Sequence, residues 1–305
     1  MMRAGIVSPV ATLNPRFFQS WEADAGIDAI AVVAGTGERL GYHHVTCSEH
    51  IAVAAGQLHL RGRSYWDPLA TLGYLAARTR RIRLATHVLV LPFHHPLAIA
   101  KRYGTLDRIS GGRLILGVGV GSAPEEFELI GVPFAGRGDR MDDTLRAIRQ
   151  TFGRPVPSYH GTHYSFDGWV VEPHGIQQTV PLWIGGRSER ALRRAVELGD
   201  GWAPQGANHQ TFAEMIKRAK ESPAFAARER PLEIIMATPP ELDPVQEPRR
   251  LADAIAGLET IGATMLNVRL VHRSLAHCLE QFEAYAEVAR GTGLVEFDTS
   301  QFDTP

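Results

Sequence analysis

Eight short apolar runs rich in β-branched residues recur along this chain, and most are followed by a stretch with helical spacing. They begin near Arg3 (RAGIV), His44 (HVTC), Ile82 (IRLATHVLVL) and Leu114 (LILGVGV), then Leu182 (LWIGG), Trp202 (WAP), Glu233 (EIIMA) and Thr264 (TMLNVRL). Alternating strands and helices imply a parallel sheet covered by helices. Eight such units within 305 residues fit a (β/α)8 TIM barrel better than an open doubly wound sheet. The expected architecture is one α/β domain over residues 1–305.

Local chemistry supports the helices. Asp67-Pro68 offers an N-cap and a proline at the first helical position, with Leu69, Leu72, Leu75 and Ala76 on one face. Met141, Leu145, Ile148 and Phe152 form an apolar stripe, and Leu275, Leu279, Phe282, Ala286 and Ala289 form another. Gly26, Gly35 and Gly37 oppose the first helix. The fourth and fifth strands are separated by residues 118–181, more than one helix needs, and this region is expected to be an insertion shaping the active site. Within it, YHGTHYSFDGWVVEPHG alternates and is punctuated by glycine like a hairpin. The tail after Gly291 is expected to be loosely attached.

Composition narrows the function classes. Lys and Arg number 32 against 33 Asp and Glu, a formal net charge of −1, so a general nucleic-acid or membrane-surface role is disfavoured. The cysteines, Cys47 and Cys278, are far apart, which disfavours a disulfide scaffold or thiolate zinc site and suits a reducing cytoplasm. No window approaches the roughly 18 apolar residues of a membrane span. The start, MMRAGIVSPV, lacks the apolar stretch of a signal peptide, and the expected location is cytoplasmic.

Three constellations carry chemistry. GVGVG, Gly117 to Gly121, lacks the third glycine of a dinucleotide fingerprint because Ser122 stands there. Glycines at the end of a barrel strand let a planar ligand lie close to the backbone, or simply close a tight turn. In GGRSERALRRAVELGDGW, Gly185 and Gly186 lead through Arg187 to the N-cap candidate Ser188. Free amides at a helix start make a phosphate-sized anion site, although a well-capped helix with a solvated arginine reads the same way. Ser48-Glu49-His50 follows the second strand at the barrel's catalytic end, where a histidine can exchange protons near neutral pH or merely be solvated. His43-His44 and His94-His95 are adjacent pairs whose rings should point to opposite faces, so no metal site is expected. No G-x-S-x-G elbow or P-loop is present.

Taken together, LGYHHVTCSEH, the stretch from DPLATLGYLAART to GGRLILGVGVG, EEFELIGVPFAGRGDRMDDTL and PLWIGGRSERALRRAVELGDGW resemble the luciferase-like monooxygenase superfamily. The resemblance is strongest to its coenzyme F-420-dependent oxidoreductase branch. It is dense over residues 39–204 and implies a (β/α)8 barrel holding a flavin or deazaflavin at the strand C-termini, commonly as a homodimer. It implies that Thr86, His87 and Val88 form a bulge behind the ring, with a non-proline cis peptide at His87–Val88. Gly119 and Gly121 would flank the ring, Gly185, Gly186, Arg187 and Ser188 would hold the cofactor phosphate, and His50 would assist proton transfer. Glu49, Trp66, Ser122 and Trp202 are candidates for the substrate side.

Two departures bear on the branch. Flavin mononucleotide (FMN) monooxygenases of this superfamily usually carry a His-x-x-Arg-Tyr phrase, where this chain has Arg137-Gly138-Asp139-Arg140-Met141. The sugar-phosphate dehydrogenases carry a glutamate where Ser122 aligns. The expected function is hydride transfer between coenzyme F-420 and a small-molecule organic substrate. The alternatives are an FMN-dependent two-component monooxygenase fed by a separate reductase, and a flavin-binding relative without chemistry.

Overall fold

In a computed structural model, which describes residues 1–206 and 208–299, eight parallel strands close on themselves. They are β1 (Met2–Val7), β2 (His44–Cys47), β3 (Arg83–Thr86), β4 (Leu114–Gly119), β5 (Leu182–Gly185), β6 (Gly201–Ala203), β7 (Glu233–Ala237) and β8 (Met265–Val268). Each pairs with the next, and β8 returns to β1 with Ala4 opposite Leu266. The barrel expected from the eight runs is present, each strand beginning within one residue of its expected start.

Eight helices follow the strands: α1 (Ile27–Leu40), α2 (Pro68–Arg78), α3 (Pro96–Ser110), α4 (Arg137–Thr151), α5 (Glu189–Leu198), α6 (His209–Lys220), α7 (Pro248–Thr260) and α8 (Leu275–Gly291). The Asp67 side chain accepts from the Ala70 amide at 2.8 Å, as the Asp-Pro pair predicts. Helix α1 forms despite its glycines. Gly37 is buried where a β-carbon would lie 2.5 Å from Ile6 Cδ1, so the glycine admits close helix–strand packing that offsets its poor propensity.

Period-two alternation sorts the strand residues into two layers. Ala85, Ile115, Trp183, Ala203, Ile235 and Met265 cluster inside the barrel. Leu84, Leu116, Leu182, Ile184, Trp202, Ile234 and Leu266 belong to the larger core that includes the helices.

The region between β4 and β5 holds a short helix (Pro124–Leu129), α4, and an antiparallel hairpin pairing Tyr159–His160 with Ser165–Phe166. Asp143 of α4 pins that hairpin, accepting from the amides of Thr162, His163 and Tyr164 and from the Tyr159 hydroxyl at 2.6 Å. The tail departs from expectation as far as residue 299. Val295 pairs with Met2 and is buried, and Phe297 packs edge-on to Tyr42 at 5.1 Å, because an apolar pair in the tail finds open core beside β1. The remainder of the tail, 300–305, lies outside the described residues. Among the described residues, no helix is long and apolar enough to cross a membrane.

Candidate active site at the upper mouth of the barrel

The run IRLATHVLVL does not continue as one strand. It breaks at a non-proline cis peptide between His87 and Val88, then resumes as a two-residue strand, Leu89–Val90, beside β4. The segment after β2 grips this bulge. The Ser48 hydroxyl donates to the His87 carbonyl at 2.8 Å, and the Glu49 amide donates to the Val88 carbonyl at 3.2 Å. The Glu49 carboxylate accepts from the Val90 amide at 2.6 Å and bonds the His94 ring at 2.8 Å.

The glycines serve this bulge. A β-carbon on Gly119 would lie 2.8 Å from Val88 Cγ2, and one on Gly185 would lie 2.6 Å from Val88 Cγ1. Both spaces are therefore filled by Val88. Gly121 adopts φ +77° with Phe127 and Val90 packed against it, a backbone that side-chain-bearing residues rarely take. Thr86 is buried, its hydroxyl donating to the Gly117 carbonyl at 2.7 Å.

His50 sits on the loop beyond β2, half-buried, with its ring 4.4 Å from that of Tyr65. Its Nδ1 lies 2.8 Å from a Glu126 carboxylate oxygen, and the other oxygen accepts from the amides of Ile51 and Ala52. Glu126 is buried at 4% exposure. Burial opposes its ionisation, but the His50 hydrogen bond and charge, with the two amides, outweigh that and hold the carboxyl below its ordinary value. Sequence reasoning missed this residue. The signal available was an acid four positions beyond Ser122, where the resembling dehydrogenases carry theirs.

Opposite, β5 runs through Gly185 and Gly186 (φ +124°) to Arg187 and Ser188, both exposed. Ser188 caps α5, its hydroxyl accepting from the Ala191 amide at 3.3 Å. The amides of Glu189 and Arg190 then have no acceptor within the helix and carry the positive end of its dipole.

The substrate-side candidates scatter. Trp202 is fully buried among the helices, because β6 alternation turns Gly201 and Ala203 inward and Trp202 outward. Its indole N–H donates to the Gly186 carbonyl at 2.8 Å and its ring packs on Phe212, so it supports the Gly-Gly turn from behind. Glu49 is buried and spends one oxygen on the Val90 amide just past the bulge and the other on the His94 ring. Trp66 is half-buried, its amide bonded to the Ala11 carbonyl and its carbonyl to the Cys47 thiol. Ser122 remains at the mouth, where Arg61 bonds its hydroxyl and carbonyl at 3.4 and 3.3 Å.

The histidine pairs also differ from expectation. His43 precedes β2 and escapes the strand alternation, so its Nδ1 reaches His44 Nδ1 at 3.1 Å. His94 turns to Glu49 while His95 caps α3. No group of three or more His, Cys, Asp or Glu side chains that could hold a metal occurs among the described residues.

Residues 9–293 match the luciferase-like monooxygenase family. An uncharacterized protein of Mycobacterium tuberculosis is 31% identical over 214 residues, 66% of this chain and 74% of that one. An F420-dependent glucose-6-phosphate dehydrogenase of Microbacterium testaceum is 31% identical over 183 residues, 59% of this chain and 53% of that one. Among solved structures, a monooxygenase from Streptomyces bottropensis shares the fold at TM-score 0.77 with 21% identity, covering 95% of this chain and 99% of that one. A match spanning nearly the whole barrel makes this chain a member of the luciferase-like monooxygenase family.

Proposed function

We propose that this protein is an oxidoreductase that binds the deazaflavin coenzyme F-420 at the upper mouth and exchanges hydride between it and a small organic substrate. The observation that carries the reading is the His50–Glu126 pair beside the His87–Val88 bulge. When bound, the deazaflavin supplies a ring carbon that gives or takes hydride. Hydride addition to an unsaturated substrate leaves an electron pair that needs a proton. Glu126 engages His50 Nδ1, leaving Nε2 to deliver that proton. In the reverse direction, the same nitrogen takes the proton from a hydroxyl as hydride departs.

The residues fit a planar phosphate-bearing ligand. Val88 and its glycine neighbours offer an apolar wall, while Gly186, Arg187 and Ser188 at the start of α5 offer amides, a guanidinium and a hydroxyl to phosphate. The chain's similarity to a relative named as F420-dependent favours the deazaflavin. So does the use made of the arginines in the Arg137–Met141 stretch. Arg137 bonds the Gly121 and Phe134 carbonyls, and Arg140 bonds those of Pro133 and Ala135, so both fold their own loop.

The expected outcome of titrating the protein with F-420 and with FMN is micromolar or tighter binding of F-420 and weaker binding of FMN, read by fluorescence and absorbance. Binding of FMN alone would replace this reading with that of a flavin-dependent monooxygenase served by a separate reductase.

A further inference from the structure

The interior face of β8 ends on a cation. Alternation along this strand places Met265 in the cluster inside the barrel and Leu266 and Val268 among the helices. Asn267 turns inward, where it bonds His44 at 2.8 Å and meets the His87 ring at 3.3 Å. Leu270 lies again on the helix side, so the alternation outlasts the strand. Arg269 is thereby directed inward, one layer above Asn267 and toward the upper mouth. Thr238, just past β7, fixes that turn: its hydroxyl accepts from the Arg269 amide at 3.1 Å and donates to the Arg269 carbonyl at 3.2 Å.

The mouth is open beside this residue. Ala237 of β7 is in register with Asn267 and faces the same way, yet it is exposed. The half-buried Arg269 guanidinium lies 5.1 Å from the ring centre of Phe17, on the segment that leaves the C-terminal end of β1. Its charge reaches the bulge as well, since burial first and Arg269 second push the His87 ring down to about 4. Among the described residues, no carboxylate pairs with this guanidinium and no oxygen accepts a hydrogen bond from it, while its nitrogens are not sealed from solvent. The charged group that acts on it is Glu22, whose buried carboxylate is spent on the Val10 and Gln19 amides at 2.7 and 2.8 Å.

Five donors in one plane, withdrawn from bulk water and unbonded, are a cost that the oxygens of a ligand would offset. A planar carboxylate accepts two of them in parallel. One guanidinium tempered by Glu22 balances a single negative charge, and no second cation among the described residues acts on it to help hold a dianion. We propose that Arg269 is a specificity-determining residue of the upper mouth, and that the small organic substrate carries a carboxylate which this guanidinium holds. The proposal rests on the reading of the mouth as the coenzyme and substrate site. The start of α5, assigned there to the coenzyme phosphate, follows β5, three strands from β8, so the two anion sites are separate. Strands β8 and β2 flank β1, about 10 Å apart at ordinary strand spacing. One small molecule can therefore present a carboxylate to Arg269 and its reacting carbon to the His50 side.

Benzoate and benzamide, alike in size and shape but different in charge, test this by isothermal titration of the full-length protein at neutral pH and fixed salt, with and without saturating F-420. The expected result is a preference for benzoate of about tenfold or more, the effect of a charge-assisted pair of hydrogen bonds. Arg269→Gln should abolish that preference, hold the melting temperature, and leave F-420 affinity within about twofold of wild type. Arg269→Lys keeps the charge without the planar fork and should retain only part of the preference, which serves if the glutamine variant does not fold. Equal binding of the two probes, binding of neither, or a preference undiminished in either variant overturns the proposal. So does a loss of F-420 affinity of about tenfold in Arg269→Gln, which would give the guanidinium to the coenzyme. If neither F-420 nor FMN binds the wild type, the coenzyme reading fails separately, and the benzoate preference of the unloaded protein still decides whether Arg269 holds a carboxylate.

Discussion

At the scale of single residues, the site rests on a histidine and an acid that lie far apart in sequence. His50 reads from sequence as one of thirteen histidines, singled out by its place after β2 and by the family resemblance at Ser48-Glu49-His50. Its partner Glu126 lies on the short helix Pro124–Leu129 inside the insertion. Replacing His50 by Ala should lower turnover about 10²–10⁴-fold while leaving cofactor affinity nearly unchanged, as removal of a general acid–base group does. Single-turnover hydride transfer followed by deazaflavin absorbance checks this, and an active variant with a wild-type pH profile removes His50 from the reaction. Glu126→Gln keeps acceptors for the Ile51 and Ala52 amides but loses the charge opposite His50. It should cut turnover about tenfold or more and move the pH profile, with cofactor affinity again retained. Because the Glu126 carboxyl is held below its ordinary 4.5, it stays ionised above that value and takes up a proton only as pH falls through the lowered one.

At the scale of elements, the turn into α5 is the part of the site that sequence chemistry described best. Gly-Gly, a candidate cap and a helix start are local features, and the structure has the Ser188 cap where the pattern puts it. The conformation of Gly186 was not legible, since nothing local sets φ at +124°. Any side chain there would be strained and would approach Ala191 Cβ at 3.0 Å, so a substitution at Gly186 mixes backbone strain with charge. Ser188→Asp is the cleaner probe. Aspartate caps a helix as well as serine does, so the melting temperature should hold, while its charge faces the proposed phosphate. Cofactor affinity should fall at least tenfold in isothermal titration, and unchanged affinity would place the phosphate elsewhere. The β3 break illustrates the opposite case. Ten residues from Ile82 to Leu91 read as one apolar run, and the bulge at residues 87–88 exists because Ser48 and Glu49 of a distant segment hold its carbonyls.

At the scale of the whole molecule, closing the barrel buries titratable groups that pattern reading leaves on strands and loops. His43, His44, His87 and His272 are all pushed below the ordinary 6.5, first by burial, with His44 brought to about 3 and both His87 and His272 to about 4. These groups stay neutral in the folded chain and take up protons on unfolding once pH drops below 6.5. Stability is therefore full above that value and falls as pH decreases toward 4, because the unfolded state binds more protons. Urea midpoints should decline steadily from pH 7 to pH 5, and a flat profile would show that the interior histidines are hydrated or already charged. The tail shows the same dependence on the assembled molecule, since Val295 and Phe297 become attached only once β1 and Tyr42 offer them a surface.

What the sequence determined by itself was whatever depends on neighbours along the chain. Strand and helix alternation set the barrel, Asp67-Pro68 and Ser188 set helix starts, and the glycine-rich phrases marked the ends of β4 and β5. Tertiary structure decided every pairing across the barrel. Trp202 faces the helices and not the mouth, Glu49 serves the bulge, and Glu126 meets His50 across 76 positions of sequence. The reason is physical. A hydrogen bond is made within about 3 Å, and which side chains come that close depends on the register and stagger with which eight strands close, a property of no single segment.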